Sequence, residues 1–228
     1  MAKRKKKSSN SFLKILLFPL WLASAIALPF FLLIRVSVFA YEMTDWNAWI
    51  CLSIGGLLTF ILIFIYLSRL SKWFLGKKKK KDAGRRKFSL RFAILLVGGF
   101  LVYALFFISG QNAKTTQVRG EYATVHPLLR TAVGTILVFN PGAIITDMSR
   151  VPADYQDMGL ATKARSLHYP QSDGYVHAID FRTKGNSEWR NTALKWTFQA
   201  LGFRTLRHVG SADHLHVSLM VHDNPAAL

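Results

Sequence analysis

Three long apolar stretches occupy the first half of the chain. They cover residues 12–33, 48–67 and 92–108, and few polar residues interrupt them. Each stretch is close to the ~20 residues that a helix needs to cross the hydrocarbon core of a bilayer. Helices buried in a soluble core are also apolar, but three such runs in succession, with almost no soluble sequence between them, favour membrane spans. The pattern predicts three transmembrane helices within residues 1–109.

The second half of the chain has shorter and more polar patterns. Residues 110–128 are polar and predict a linker, so that residues 129–228 form a soluble domain. Residues 122–138 fit either a helix or a strand. Four short apolar or alternating runs predict strands, at residues 143–148, 175–182, 203–209 and 214–221.

One segment of this domain has a clear helical period. Within residues 188–201 the apolar side chains recur at helical spacing, at Trp189, Ala193, Trp196 and Ala200. Ser187 precedes the segment, as an N-cap would, and Gly202 follows it, as is usual just beyond a helix C-terminus. Together with the strand patterns, this helix predicts an α+β domain with an antiparallel sheet.

The last predicted strand carries candidate chemistry. Its apolar residues alternate with His214 and His216, so one face is predicted to be core and the other to hold two imidazoles. Residues two apart on a strand have their Cα atoms ~7 Å apart on one face. One histidine can therefore bind a metal while the other reaches its ligand, and Asp213 lies at the mouth of the strand.

Charge adds an orientation to this outline. Of the formal net charge of +18, the first 109 residues carry 18 Lys and Arg against 3 Asp and Glu, whereas the remainder carries 12 against 9. The excess charge thus belongs to the apolar half, which favours a lipid bilayer over nucleic acid as the partner. No nucleic-acid partner is expected.

The basic residues cluster in two of the short loops. They lie at residues 3–7 and 77–87, whereas the first connection, residues 41–47, holds Glu42 and Asp45 and no base. By the positive-inside rule the N-terminus is cytoplasmic, and the C-terminal domain of this multi-pass cell (inner) membrane protein is periplasmic or extracellular. A cleaved signal peptide at Ala23-Ser24-Ala25 is disfavoured because the apolar run continues past it.

Histidine usage restricts the candidate site to the C-terminal half, which holds all seven histidines. The single cysteine, Cys51, lies in an apolar run, so a thiolate zinc site is excluded. A hydrolytic zinc ion needs three nitrogen or oxygen ligands and an open position. Asp180 and either His168 or His177 can complete the set begun by the last strand. On a regular strand His177 points away from Asp180, which favours His168.

These residues also form a recognisable pattern. Its parts are Ser166-Leu167-His168-Tyr169, Gly174, Ala178-Ile179-Asp180 and Asp213-His214-Leu215-His216-Val217. Over roughly residues 140–222 the chain resembles the zinc D-Ala-D-Ala carboxypeptidases, which are relatives of the vancomycin-resistance dipeptidases and share a core with the hedgehog signalling domain. The resemblance implies a hedgehog/DD-peptidase-like fold and a Zn²⁺ cofactor.

The resemblance also implies roles for individual residues. His168, Asp180 and His216 correspond to the zinc ligands of the family. Asp213, three positions before His216, takes the place of the acidic general base, and His214 that of a group that stabilises the oxyanion. The expected reaction is hydrolysis of a peptide bond by zinc-activated water.

Two further features bear on this resemblance. Residues 144–150 are similar to the family segment whose arginine contacts the substrate, which makes Arg150 a substrate-binding candidate. His168 and Asp180 are twelve positions apart, where the family has seven, and the extra residues around Pro170 and Asp173 indicate an inserted turn. This insertion leaves His177 as an alternative first ligand.

The sequence therefore predicts a membrane-anchored zinc metallopeptidase acting on peptidoglycan peptides, as a D-Ala-D-Ala carboxypeptidase or an endopeptidase. The alternative is a zinc-containing domain without activity that binds cell-wall peptides or a protein partner. Asp213 favours catalysis over binding.

Overall fold

Three long apolar helices form the N-terminal half of the computed structural model. They are α1 (Ser11–Met43), α2 (Ala48–Leu75) and α3 (Asp82–Phe106). The structure describes residues 11–44, 46–75, 82–157, 159, 161, 165–210 and 213–219. The basic segments 3–7 and 77–81, together with Asp45, His222 and the end of the last predicted strand, lie outside the described residues.

All three helices are long and apolar enough to cross a membrane. Their candidate spans are Ile26–Met43, Ala48–Ser71 and Ala83–Phe106. This confirms the predicted number of apolar helices. Helices α1 and α2 end later than predicted, at Met43 and Leu75, whereas α3 begins earlier, at Asp82, and ends at Phe106. Helices α1 and α2 pack closely: a Cβ added at Gly55 would lie 2.4 Å from the carbonyl oxygen of Leu33.

The segment predicted to be a linker, residues 110–128, is folded against its neighbours. It contains a short helix, α4 (Thr116–Gly120), between two 3₁₀ turns. The amide of Asn112 donates to the carbonyl oxygens of Pro141 (2.7 Å) and Ala143 (2.9 Å). The hydroxyl of Tyr122 donates to the carbonyl oxygen of Ala104 at 2.6 Å. The polar side chains of segment 110–128 therefore include groups that hydrogen-bond to buried backbone. Composition alone cannot distinguish such groups from side chains that face solvent.

The ambiguous segment 122–138 contains a helix, α5 (Pro127–Phe139), which packs on the three apolar helices. Pro127 occupies the first turn, where the missing N–H costs nothing. A Cβ added at Gly134 would lie 2.6 Å from the Cβ of Ala104 in α3, so the two helices are in close contact. The Arg130 guanidinium donates to the carbonyl oxygen of Leu105 at 2.7 Å. One continuous apolar core thus joins the helices to the C-terminal region.

Four short strands form the predicted antiparallel sheet. They are β1 (Ile145–Asp147), β2 (Ala178–Arg182), β3 (Arg204–His208) and β4 (His214–Ser218), in the order β1-β2-β4-β3. A short helix, α6 (Pro152–Asp157), follows β1. Helix α7 (Glu188–Leu201) packs Phe198 against Phe181 of β2, with ring centroids 5.3 Å apart.

Helix α7 has the predicted bounds and the predicted C-cap. Gly202 adopts φ 105°, a left-handed conformation in which glycine avoids the strain that a Cβ would bring. Ser187 has the extended backbone of an N-cap, but its hydroxyl makes no capping hydrogen bond. The N-terminal boundary of α7 is therefore set by the extended backbone of Ser187, and the C-terminal boundary by Gly202.

Candidate metal centre

The register of β2 and β4 brings two candidate ligands together. Asp180 lies directly opposite His216 in the antiparallel ladder, and residues opposite each other project to the same face. The intervening apolar residues point to the other face, towards α7, and are buried: Ile179, Phe181, Leu215 and Val217. The apolar alternation therefore directs Asp180 and His216 to the face away from the core.

His168 reaches this face from a loop that is hydrogen-bonded on both sides. Its carbonyl oxygen accepts from the N–H of Arg150, and the carbonyl oxygen of Leu167 accepts from the N–H of His177, each at 2.9 Å. Nδ1 of His168 lies 2.7 Å from the carbonyl oxygen of Met148. Because a carbonyl can only accept, Nδ1 carries a proton, which leaves Nε2 to bind a metal ion or, when it is protonated as well, to donate to Asp180.

The three side chains have the geometry of a metal site. Nε2 of His168 lies 3.3 Å from Nδ1 of His216 and 3.4 Å from Oδ1 of Asp180, and the last two atoms are 2.9 Å apart. Ligands ~2.1 Å from a tetrahedral zinc ion lie about 3.4 Å from one another. His168 and Asp180 are buried, whereas the side chain of His216 is 21% exposed. The group could therefore hold a metal ion, with one side open to solvent.

Electrostatics keep Asp180 ionised. Burial by itself would raise the pKa of this carboxyl, but hydrogen bonds from His168 and His216 outweigh it and lower the pKa. For His168 the balance is reversed: burial would lower the pKa of the imidazole, and the hydrogen bond and charge of Asp180 raise it. A negative carboxylate thus lies between two imidazoles, which is the charge that a cation would neutralise.

These shifts predict how the stability of the metal-free protein depends on pH. The contribution of Asp180 is complete above its ordinary pKa of 3.8 and is lost as the pH falls. That of His168 is complete below 6.5 and is lost as the pH rises through its raised pKa. The stabilisation by this pair should therefore be greatest between pH 3.8 and 6.5. The measurement is the free energy of unfolding by urea as a function of pH, for the chelator-treated parent protein and for Asp180→Asn. Equal pH profiles for the two proteins would contradict the prediction.

Arg150 lies beside the three-residue group and is firmly held. Its guanidinium pairs with Asp147, donates to the hydroxyl of Tyr155 at 3.3 Å and lies 3.4 Å from Oδ2 of Asp180. No role for Asp147 was predicted from the sequence. A signal was present in its position three residues before Arg150, at the end of a predicted strand. The ion pair with Asp147 thus holds the Arg150 guanidinium beside the candidate ligand Asp180.

Asp213, the residue predicted to be a general base, is engaged elsewhere. Its carboxylate accepts from Nε (2.6 Å) and Nη2 (2.8 Å) of Arg207 and from the hydroxyl of Thr183 (2.5 Å). The Arg207 guanidinium, with help from Thr183, lowers the pKa of Asp213 to about 2. None of these hydrogen bonds goes to the three-residue group. The physical reason is that Arg207 lies opposite Leu215 in the sheet, on the face opposite to His216, and draws the Asp213 carboxylate to that face.

His214 lies on the same side of β4 as His216. Its Nε2 is 3.5 Å from Oδ2 of Asp180, and its ring stacks on His208 of β3 with centroids 4.7 Å apart. The predicted second imidazole therefore adjoins the carboxylate ligand.

His177, the alternative first ligand, belongs to a second group. Its Nε2 lies 2.9 Å from Oδ2 of Asp173, and His126 is the third member. His177 immediately precedes β2 and points to the face opposite Asp180, as the alternation of a strand requires. Of the two histidines left open by the sequence, the structure places His168 with Asp180 and His216.

Comparison with known proteins adds no family to this description. No family model matches the sequence. No curated protein and no solved structure matches the chain.

Proposed function

We propose that this protein is a membrane-anchored zinc metallopeptidase that hydrolyses peptidoglycan-type peptides outside the cytoplasm. The observation that carries the proposal is the convergence of His168, Asp180 and His216 within 3.4 Å of one another, with the open side at His216. Three such ligands and one open position are the arrangement of catalytic rather than structural zinc. The sidedness rests on the basic loops, and the substrate class rests on the resemblance to the D-Ala-D-Ala carboxypeptidases.

The ligands themselves would be held by their surroundings. The carbonyl oxygen of Met148 fixes the tautomer of His168, and β2 and β4 fix Asp180 and His216. A zinc ion bound there would supply a polarised carbonyl and a water activated near neutral pH. The protein would contribute the position of the substrate and the handling of its charge.

Two basic groups beside the ligands suit a peptide with a free C-terminus. Arg150, oriented by Asp147, can donate two parallel hydrogen bonds to a terminal carboxylate. His214, next to Asp180, can donate through Nε2 to the oxygen on which negative charge develops. These assignments favour a carboxypeptidase over an enzyme that cuts within a long strand.

Asp213 would take the proton from the attacking water, as the resemblance implies. A carboxylate with a pKa of about 2 is a weak base, since a general base works best when its pKa is near the operating pH. Catalysis by Asp213 therefore requires the carboxylate to leave Arg207 and turn towards the substrate. Asp213 immediately precedes β4, so this change would take place at the mouth of the strand.

The pairing of Asp213 with Arg207 also favours a second candidate function. If the pair persists when peptide binds, the domain holds zinc and recognises a cell-wall peptide or a protein partner without hydrolysing it. The two functions make opposite predictions for the same substitution.

Asp213→Ala distinguishes the two functions. For a peptidase, we expect the rate of peptide release from defined muropeptides to fall by about 10²–10⁴-fold, the usual contribution of a general base, with bound zinc unchanged. The measurement uses the full chain in detergent, with and without a chelator. Glu188→Ala is the matched control, because it removes the other, largely exposed carboxylate on Arg207 and should leave the rate unaltered. Bound zinc without peptide release by the unsubstituted protein would identify the binding module instead.

A further inference from the structure

The second group of potential ligands lies at the junction between α5 and the inserted turn. His126 is the N-cap residue of α5, and Asp173 and His177 flank the end of the turn. Oδ2 of Asp173 lies 2.9 Å from Nε2 of His177 and 3.5 Å from Nε2 of His126. The two imidazole centroids are 4.7 Å apart. Three ligand atoms from distant parts of the chain thus meet around one point.

Burial makes this group different from a surface ion pair. His126 is fully buried and His177 is 1% exposed. Nε2 of His126 points into the group and makes no hydrogen bond, and Nδ1 of His177 is likewise without a hydrogen-bond partner. A buried polar atom without a partner is costly and calls for an explanation such as a bound ion. The Asp173 side chain is 33% exposed and provides the route by which an ion could enter.

The positions of the ring protons determine what the binding of a cation would change. Nδ1 of His126 accepts from the N–H of Leu128 at 3.3 Å, so the ring carries its proton on Nε2. A cation at Nε2 would move this proton to Nδ1, at the expense of a long capping bond. At His177 the proton can move to Nδ1 without such a loss, because that atom makes no hydrogen bond.

We propose that His126, Asp173 and His177 form a second metal site, for a structural divalent transition-metal ion such as Zn²⁺. Two imidazoles and one carboxylate are donors that suit zinc and its neighbours rather than calcium or magnesium. The rings of Tyr41 and Tyr175, 5.0 and 5.9 Å from that of His126, cover the group from either side. An ion at this site fastens the inserted turn to the start of α5.

This site has a consequence for the first one. The same turn begins at His168, so fastening Asp173 and His177 also limits the movement of the first metal ligand. The twelve-residue separation of His168 and Asp180 would otherwise leave a longer and looser connection between two ligands. The insertion thus carries its own ligands for an ion that holds it in place.

Zinc stoichiometry tests the inference. The full-length protein in detergent is stripped with a chelator, titrated with Zn²⁺ and freed of unbound ion, and zinc per chain is measured by mass spectrometry. We expect two zinc ions in the unsubstituted protein, one in Asp173→Asn, one in Asp180→Asn and none in the double variant. Asp157→Asn, which makes the same change on an exposed residue of α6, should retain both ions.

Two results would overturn the second site. One is an Asp180→Asn variant that binds no zinc, and the other is an Asp173→Asn variant that binds as much as the unsubstituted protein. The Asp180→Asn result decides the question even if Asp173→Asn fails to fold, because it leaves the second group intact. The proposed peptidase activity is tested separately. Two bound zinc ions without peptide release would reject the activity and leave the second metal site supported.

Discussion

His216→Ala should remove one equivalent of zinc and nearly all peptide release. Loss of an outer hydrogen-bond partner of a metal ligand typically costs 10–100-fold, so loss of a ligand should cost more than about 100-fold. His216 is the best ligand to remove, because its side chain is partly exposed and its truncation leaves little empty space in the core. Zinc per chain and the rate of peptide release are measured on the same preparation.

The matched control for this change is His208→Ala. His208 is an exposed imidazole on β3, the strand next to β4, and it does not belong to either group of ligands. It should retain the full zinc content, which is the quantity that this control checks. A His216→Ala protein that keeps all its zinc would show that the first site does not use this imidazole.

Gly134→Ala should destabilise the chain at the contact between α5 and the apolar helix α3. The added Cβ would lie 2.6 Å from the Cβ and 2.8 Å from the Cα of Ala104, and no change of rotamer can relieve contacts between a Cβ and a neighbouring backbone. The helices must separate, and overpacking of this kind typically costs about 1–3 kcal/mol. The free energy of unfolding in detergent measures the effect.

Gly98→Ala provides the comparison. It adds the same methyl group to the middle of α3, where nothing lies within 4 Å of the new Cβ. Alanine is there the better helix former, so this variant should be as stable as the parent or slightly more stable. Equal stability of Gly134→Ala and Gly98→Ala would mean that α5 does not pack as closely on α3 as the structure has it.

Features that depend only on residues close together in the sequence were predictable. The three apolar helices follow from the lengths of the apolar runs, and α7 follows from its period and from Gly202. The faces of β2 and β4 follow from alternation, which was also sufficient to prefer His168 over His177. Each of these signals lies within a few turns or one strand, where the covalent geometry of the chain sets the direction of the side chain.

Contacts between distant segments were not predictable in this way. Asp213 was predicted to be the general base, and nothing in the sequence indicated that its carboxylate pairs with Arg207 of the neighbouring strand. Segment 110–128 was expected to be a linker, yet Asn112 and Tyr122 hydrogen-bond to buried backbone. The group formed by His126, Asp173 and His177 joins residues up to 51 positions apart, and no local pattern marks it.

The difference between the features that the sequence predicted and those that it did not has one physical origin. The period and polarity of a segment determine its helix or strand and the face that it buries, and here they identified the helices, the sheet and the candidate ligands. Strand register, helix packing and hydrogen bonds across long separations determine which side chains then meet. Those interactions place His168 with Asp180 and His216, pair Asp213 with Arg207, and assemble the second group of ligands.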